Sequence, residues 1–329
     1  MTKYKKYIGS LIGVIVMVAA CYFLYRNLSR ISLADIIASI SRVSNSQWGM
    51  AAFFALLAYI ALAEYDRIAL SYLGKKLSWV YITLCSFTTY ALSHNIGASV
   101  FSGAVVRYRA YSRKGLSNPE IAVLVGLCSF TFLLGVLLLT SLVLIVRPDI
   151  IHRIPLKYDI PEGLAIFIGC IISGFIALYV IGSIKGMKPL KIGSKFQLTY
   201  PRPGIVIQQL IIGPLELLGA AGIIYAVLPE AGNPGFLIVL GVFLASFSAT
   251  LVLNAPAGGL GVLELVFTTG MAGMKEADVI AALIVFRLLY LIIPLIISLF
   301  IVGIFEASQW RKPKIKNHQV SPTTDNHIS

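Results

Sequence analysis

The chain has 329 residues, of which 58% are hydrophobic and 12% are charged. Soluble globular proteins carry about 25% charged residues, so this composition excludes a soluble enzyme and indicates an integral membrane protein. The 27 Lys and Arg residues against 14 Asp and Glu give a net charge of +13, which in a membrane protein is typical of basic loops beside anionic lipid rather than of nucleic-acid binding.

The first apolar run, at 7–26, follows three lysines and predicts the first membrane-spanning helix. A signal peptide with a lipoprotein-like box ending at Cys21 is the alternative interpretation. The apolar run continues past Cys21, and this length favours a span over a short cleaved segment.

Five further apolar runs are each long enough to cross a hydrocarbon core of about 30 Å. They lie at 48–70, 119–146, 161–184, 204–228 and 277–306. Two other apolar runs, 80–112 and 235–272, are interrupted at Ser93 to Gly97 and at Asn254 to Gly261. Interrupted backbone at membrane depth must be buried in protein or line a wet cavity. We therefore expect two re-entrant hairpins, each of which enters and leaves by the same face.

The basic residues orient these segments, because Lys and Arg concentrate on the cytoplasmic side of a membrane. With a cytoplasmic N-terminus, six crossings and two hairpins place the strongly basic segments inside, at 3–6, 75–76, 107–114, 185–202 and 311–316. The sequence thus predicts an all-α polytopic protein with both termini in the cytoplasm. We expect one membrane domain at 1–310 and a polar tail at 311–329.

Each half of the chain repeats the order span, span, hairpin, span. The first half, about 1–150, starts inside and the second, about 155–310, starts outside, which predicts an inverted repeat. At an offset of 158 positions, Gly115 to Ile121 lies over Gly273 to Val279. Inverted repeats build many transporters, whose substrate sites lie near the midplane where broken helices meet.

Ionisable residues at membrane depth are costly, so each is a candidate for function. Glu264 follows the second interruption and Arg287 lies in the last span, and we expect the two to form an ion pair that either binds substrate or locks the hairpin to the last helix. Glu216 lies within a span. It is either protonated, hydrogen-bonded to Gln208 or Gln209, or paired with a substrate ammonium.

Charged residues also lie near the predicted cytoplasmic face. One span ends with Glu64, Asp66 and Arg67. We expect these side chains to lie at the membrane interface with their charges among the lipid headgroups. The alternative is that they form a ring around a vestibule. Arg107 follows the first hairpin. An arginine there can bind a lipid phosphate through two hydrogen bonds, although membrane topology alone also accounts for a basic residue at this place.

The two interruptions supply uncharged polar groups. In the second, backbone amides at the start of a half-helix can bind a polar headgroup. The residues expected there are Asn254, Gly258, Gly259 and Gly261. The segment lacks the Lys and Ser or Thr of a P-loop, so it is not a nucleotide site. His94 and Asn95 form the matching polar break of the first hairpin. The alternative is a structural role in which their polar groups are hydrogen-bonded within the protein.

The segment Asn254 to Glu264, NAPAGGLGVLE, resembles the P-x-G-G-x-G-x-x-E signature of the lysylphosphatidylglycerol synthetase/flippase transmembrane domain family. Gly103 and Arg107 resemble the family's G-E-x-x-R motif, and Arg287 matches an arginine of its later span. The resemblance covers about 5–308. It implies a location in the bacterial inner membrane and movement of aminoacylated phosphatidylglycerol across it.

Two departures from the family pattern bear on the substrate. Ala104 stands where the family motif has Glu, and Ser129 stands at the first-half equivalent of Arg287. If that Glu recognises a cationic lysyl headgroup, this chain carries another lipid. The soluble aminoacyltransferase domain of the two-part enzymes has no counterpart before Ser329, so the resemblance implies a non-enzyme.

These features predict a flippase that moves a lipid headgroup through a polar groove between the hairpins. The lipid is a phospholipid, an aminoacylated phospholipid or a polyprenyl-phosphate lipid, and no cofactor, metal ion or catalytic residue is expected. One alternative is a non-transporting scaffold or partner of an envelope lipid enzyme. Another is an intramembrane protease using Ser102 and His94, which lie on one hairpin without the usual context.

Overall fold

The computed structural model describes residues 37–38, 41–96, 99–154, 160–187, 190–192, 196–198, 200–252 and 261–310. The elements in chain order are α1 (Asn45–Tyr72), α2 (Trp79–Ile96), α3 (Ser99–Tyr111), α4 (Asn118–Val146), α5 (Glu162–Ile184), β1 (Leu190–Ile192), β2 (Phe196–Leu198), α6 (Pro203–Val227), α7 (Phe236–Val252), α8 (Val262–Gly270), α9 (Glu276–Phe286), a π-helical segment (Arg287–Ile292) and α10 (Ile293–Trp310). The expected all-α architecture is confirmed, and β1 and β2 are a short antiparallel pair within the basic loop.

Five helical segments of the described chain are long and apolar enough to cross a membrane: α1, α4, α5, α6 and the continuous stretch Glu276–Phe305. They coincide with the five spans predicted between 48 and 306. The predicted span at 7–26 lies outside the described residues, as do Asn254, Gly258, Gly259 and the tail at 311–329.

Polar side chains set the starts of two of these spans. Ser44 precedes α1, and its backbone N–H donates to Gln47 Oε1 at 3.1 Å. Ser117 precedes α4 in the same way, with its N–H donating to Glu120 Oε2 at 2.8 Å. These contacts satisfy backbone donors that a helix start leaves without an intrahelical partner.

Helices α2 and α3 form an antiparallel pair. The Tyr81 hydroxyl, near the start of α2, donates to the Ala110 carbonyl near the end of α3 at 2.8 Å. Gly103 lies so close to α2 that a Cβ there would stand 2.9 Å from Ser93 Oγ. The pair is therefore a helical hairpin. In the second hairpin, α7 and α8 are in contact through Val242 and Gly270.

The first interruption is shorter than the sequence predicted. Helix α2 continues to Ile96, so His94 and Asn95 belong to the helix and not to the break. The reason is local: the Ser93 hydroxyl donates to the Thr89 carbonyl at 2.6 Å, and Asn95 Nδ2 donates to the Ala91 carbonyl at 2.8 Å. Both polar side chains thus bond to the preceding helical turn.

Helices α1 and α6 pack antiparallel along their lengths. Gln47 Nε2 donates to the Val227 carbonyl at 3.2 Å, and the Tyr65 hydroxyl donates to the Gly213 carbonyl at 3.0 Å. Helix α6 begins 158 positions after α1 (203 against 45), and α9 begins 158 positions after α4 (276 against 118). The order helix, hairpin, helix therefore occurs twice.

Helices α4 and α6 cross with their backbones in contact. A Cβ on Gly135 would stand 2.4 Å from the Gly213 carbonyl carbon, and a Cβ on Gly213 would stand 2.6 Å from the Thr131 carbonyl oxygen. Membrane helices lack a hydrophobic driving force between them, so small residues that allow close approach supply van der Waals contact instead. This crossing helps to position α6, which carries Glu216.

Candidate functional site

The first hairpin holds a buried ion pair. Arg107 of α3 donates from Nε to both carboxylate oxygens of Asp66, at 3.1 and 3.2 Å, and from Nη2 to Oδ1 at 2.6 Å. The Tyr111 hydroxyl donates to Oδ2 at 2.6 Å, and Cys128 Sγ lies 3.4 Å from Oδ1. Asp66 is completely buried. These four residues are called the first-hairpin cluster below.

The cluster corrects the interpretation of Asp66 as an interfacial residue. Asp66 lies in α1 and faces α3 and α4, while its neighbours Glu64 and Arg67 pair with each other at the surface at 2.5 Å. The difference follows from helical geometry, since residues two positions apart point to different faces. Sequence reasoning missed this pair, because the sequence alone does not show that Arg107 is buried and therefore needs an acid.

The predicted ion pair between Glu264 and Arg287 is confirmed. Arg287 Nε donates to Glu264 Oε1 at 2.6 Å, and Arg287 Nη2 contacts the same oxygen. Glu264 Oε2 accepts the Gly261 N–H at 2.8 Å. Gly261 has a φ of +86°, which favours glycine. The Glu264 side chain is 29% exposed and that of Arg287 is 4% exposed, so a ligand can reach the carboxylate from outside.

Glu216 has a different partner from those expected. The Tyr290 hydroxyl donates to Glu216 Oε1, and Glu216 Oε2 is buried without a hydrogen-bond partner among the described residues. Gln209 instead accepts from the Tyr179 hydroxyl at 2.8 Å and donates to Thr131 Oγ1 at 2.9 Å. Gln209 therefore links α4, α5 and α6.

Tyr290 and Arg287 belong to the π-helical segment, which the sequence did not predict. Such segments occur frequently at functional sites, because the extra residue in the turn redirects side chains and carbonyl groups. Asn95 Nδ2 donates to the Leu291 carbonyl of this segment at 3.1 Å. The His94 ring stacks on the Tyr290 ring, with centroids 5.3 Å apart. The segment thus joins the two hairpins to α6.

The structure brings five of the seven predicted site residues that it describes to this segment. The set is called the π-segment cluster below and consists of Glu216, Glu264, Arg287, Tyr290, His94 and Asn95. Arg107 lies in the other cluster, and the Tyr90 ring connects the two: its centroid is 4.8 Å from Arg107 Cζ and 5.7 Å from the His94 centroid.

No metal site occurs in the part of the chain that the structure describes, since no three His, Cys, Asp or Glu side chains are grouped to hold an ion. The carboxylates and arginines of the two clusters pair with each other or with tyrosine hydroxyl groups. These paired charges lie in a low-dielectric environment, where they can recognise a ligand of opposite charge.

The family model for the lysylphosphatidylglycerol synthase TM region matches residues 10–298. The chain belongs to this family. The match confirms the resemblance drawn from Asn254 to Glu264 and from Arg107. It also establishes, together with the five long apolar helices, a multi-pass membrane protein.

Relatives of this family member differ in length. An uncharacterized protein of Synechocystis sp. is 28% identical over 95% of this chain and 96% of its own. The inner membrane protein YbhN of Escherichia coli is 30% identical over 80% of each chain. A phosphatidylglycerol lysyltransferase of Staphylococcus haemolyticus is 25% identical over 87% of this chain but only 33% of its own.

Proposed function

We propose that the protein is a lipid translocase of the bacterial inner membrane, which moves the headgroup of an anionic or aminoacylated phospholipid past the π-segment cluster. The observation that carries the proposal is the Glu264–Arg287 pair. It combines a buried guanidinium with a carboxylate that is reachable from outside, next to the interruption of the second hairpin. A pair with a purely structural role gains nothing from this access.

A ligand with both charges can replace this pair without leaving a charge alone. Removing one partner of a buried ion pair is strongly unfavourable, because the other charge remains without compensation. A headgroup that carries a phosphate and an ammonium supplies both partners at once: the phosphate binds Arg287 and the ammonium binds Glu264. An aminoacylated phosphatidylglycerol has this chemistry, and an anionic phospholipid has its phosphate half.

The architecture that we propose for this movement has six crossings and two re-entrant hairpins in an inverted repeat. The antiparallel packing of α1 and α6, which occupy equivalent places 158 positions apart (45 and 203), supports the inversion. Hairpins that meet at the membrane midplane would let the headgroup cross while the acyl chains stay in lipid. The distribution of the basic loops supports a cytoplasmic location of both termini in this proposal.

The names of the relatives support a lipid substrate. One is named an inner membrane protein, and another is named a phosphatidylglycerol lysyltransferase, of which this chain matches 33%. This chain matches the family model for the transmembrane region. We therefore infer that its membrane-spanning part binds the lipid.

The experiment is lipid translocation in proteoliposomes. Headgroup-labelled phosphatidylglycerol, lysyl-phosphatidylglycerol and a polyprenyl phosphate are tested with the wild type, Glu264→Gln and Arg287→Ala. The matched control is Asp149→Asn, which breaks the Arg147–Asp149 pair outside the spans. We expect movement of one phospholipid, lost in both cluster variants and retained in the control.

Folded wild-type protein that moves none of the three lipids would contradict the proposal. Recovery of a stoichiometric envelope lipid enzyme with the protein under those conditions would favour the scaffold instead. Movement of the polyprenyl phosphate alone would show that the protein is a translocase with a different substrate class from the one proposed.

A further inference from the structure

A cleft of about 450 Å³ lies between α2, α3 and α10, apart from both polar clusters. This volume falls within the range of about 300–1,000 Å³ that is usual for small-molecule sites. Apolar side chains form most of its walls, among them Leu84, Leu92, Val106 and Val302. Leu84 at its rim is 45% exposed. The cleft therefore opens to the surroundings of the protein and not to its core.

One end of the cleft is basic. The Lys114 ammonium lies 4.6 Å from the centroid of the Tyr81 ring, and Arg113 Cζ lies 4.7 Å from the centroid of the Phe305 ring. Tyr81 and Phe305 both line the cleft, as does Arg109. Arg113 and Lys114 are themselves exposed. An apolar trough thus ends at a group of cations.

The acids at this end of the hairpin have other partners. Glu120 pairs with Lys75 at 2.9 Å, and Glu64 pairs with Arg67. Their negative charge is therefore offset locally. The described contacts of Arg113 and Lys114 are with aromatic rings, which leaves their hydrogen-bond donors available for an anion.

We propose that this cleft binds an anionic glycerophospholipid from the adjoining leaflet. One acyl chain lies in the trough between α2, α3 and α10, and the phosphate lies at Arg113 and Lys114. A trough alone would take any lipid, but cations at its end select a headgroup with net negative charge. The proposal deepens the proposed function, on which it rests: the cleft is where the transported lipid first binds.

The location of the cleft is consistent with the transported lipid binding there before it reaches the polar clusters. Its walls belong to α2 and α3, whose opposite faces carry His94 and Arg107. A lipid in the cleft is therefore beside the same hairpin that contributes to both polar clusters. Its headgroup would be bound at the predicted cytoplasmic end, since the positive-inside rule places 107–114 there.

The experiment is photo-crosslinking in lipid nanodiscs. Phosphatidylglycerol and phosphatidylcholine with the same photoactivatable acyl chain are compared, and the labelled peptides are identified by mass spectrometry. We expect wild-type labelling within α2 and α10 to be about thirtyfold stronger with phosphatidylglycerol, since two cations near the surface contribute about 1 kcal/mol each and every 1.4 kcal/mol is a factor of ten.

Two kinds of variant separate the charge from the trough. Arg113→Gln with Lys114→Gln should remove the preference for phosphatidylglycerol, whereas Lys76→Gln with Arg202→Gln, both exposed, should retain it. Leu84→Trp should block labelling by either lipid. Leu142→Trp is its control, because Leu142 is 46% exposed and does not line the cleft.

Equal labelling of the wild type by the two lipids, or unchanged labelling of Leu84→Trp, would overturn the cleft proposal. Should Leu84→Trp fail to fold, Ile304→Trp tests the same point, since Ile304 lines the cleft and is mostly exposed. Translocation without selective labelling refutes only the cleft. Selective labelling without translocation refutes only the proposed function.

Discussion

The first-hairpin cluster and the Glu264–Arg287 pair have the same chemistry and different access. Asp66 is completely buried and accepts hydrogen bonds from an arginine and a tyrosine, with a cysteine thiol beside it. Glu264 is 29% exposed, and its partners are one arginine and one backbone amide. The first pair is enclosed by three helices, whereas the second lies beside the interruption of a hairpin.

The first ion pair stabilises helix packing, whereas the second can bind a ligand. Both carboxylates have a protein partner on each oxygen, but the completely buried Asp66 cannot accept a ligand unless the helices around it separate. A carboxylate at an open edge can exchange one partner for a ligand at small cost. The first-hairpin cluster therefore holds α1, α3 and α4 together, and the second pair is the one available to a headgroup. The predictions below test this distinction.

The largest effect is expected for Asp66→Asn. The substitution leaves the Arg107 charge buried without compensation, which costs about 3–5 kcal/mol of unfolding free energy. The unfolding midpoint in detergent measures it. The double variant Asp66→Asn/Arg107→Gln should recover part of the loss, because it removes the unpaired charge. A change below about 1 kcal/mol for the single variant would show that the pair is not a lock.

Glu264→Gln should destabilise the protein less, by about 1–3 kcal/mol, because the Glu264 side chain is 29% exposed whereas Asp66 is completely buried. We expect this variant to lose lipid translocation completely. The two readouts are unfolding and proteoliposome transport on the same preparation. If this variant unfolds as easily as Asp66→Asn, or if it transports normally, then the two pairs do not differ in role.

Tyr290→Phe tests the third carboxyl group. It removes the hydroxyl that donates to Glu216 and leaves both carboxyl oxygens without a described donor, at a cost of about 1–2 kcal/mol. The ring stacking with His94 remains. Tyr225→Phe, whose ring packs on Phe236, is the matched control. Equal unfolding midpoints for the two variants would show that the Tyr290 hydroxyl does not stabilise the π-segment cluster.

The smallest effect is expected outside the spans, at Asp149. Hydrogen bonds from Arg147 lower the pKa of Asp149 below its usual value. A lowered pKa in the folded state means that the pair stabilises above the ordinary pKa and that this contribution is lost as the pH falls. The Asp149 side chain is 39% exposed, so solvent screening limits the effect to below about 1 kcal/mol.

The measurement is the pH dependence of unfolding for the wild type and Asp149→Asn. Their midpoints should converge as the pH falls through the range in which Asp149 is protonated. A midpoint difference that grows on acidification would have the wrong sign for a lowered pKa.

Much of the architecture could be predicted from composition and order along the chain. The five described spans follow from runs of apolar residues, because lipid requires a long helix that satisfies its own backbone. The Glu264–Arg287 contact was predicted because both charges lie at membrane depth and each needs a partner. The predicted interruption at 93–97 began too early, because Ser93 and Asn95 are helical and their side chains bond to the preceding turn.

The partners of Asp66 and Glu216 could not be read from the chain. Asp66 meets Arg107 across 41 positions, and Glu216 meets Tyr290 across 74. Hydrophobicity selects which segments enter the membrane, and it is nearly the same for every face of such helices. Which face meets which neighbour depends on close packing, such as the crossing at Gly135 and Gly213, and on the π-helical turn that directs Arg287 and Tyr290. These contacts exist only once the helices are assembled.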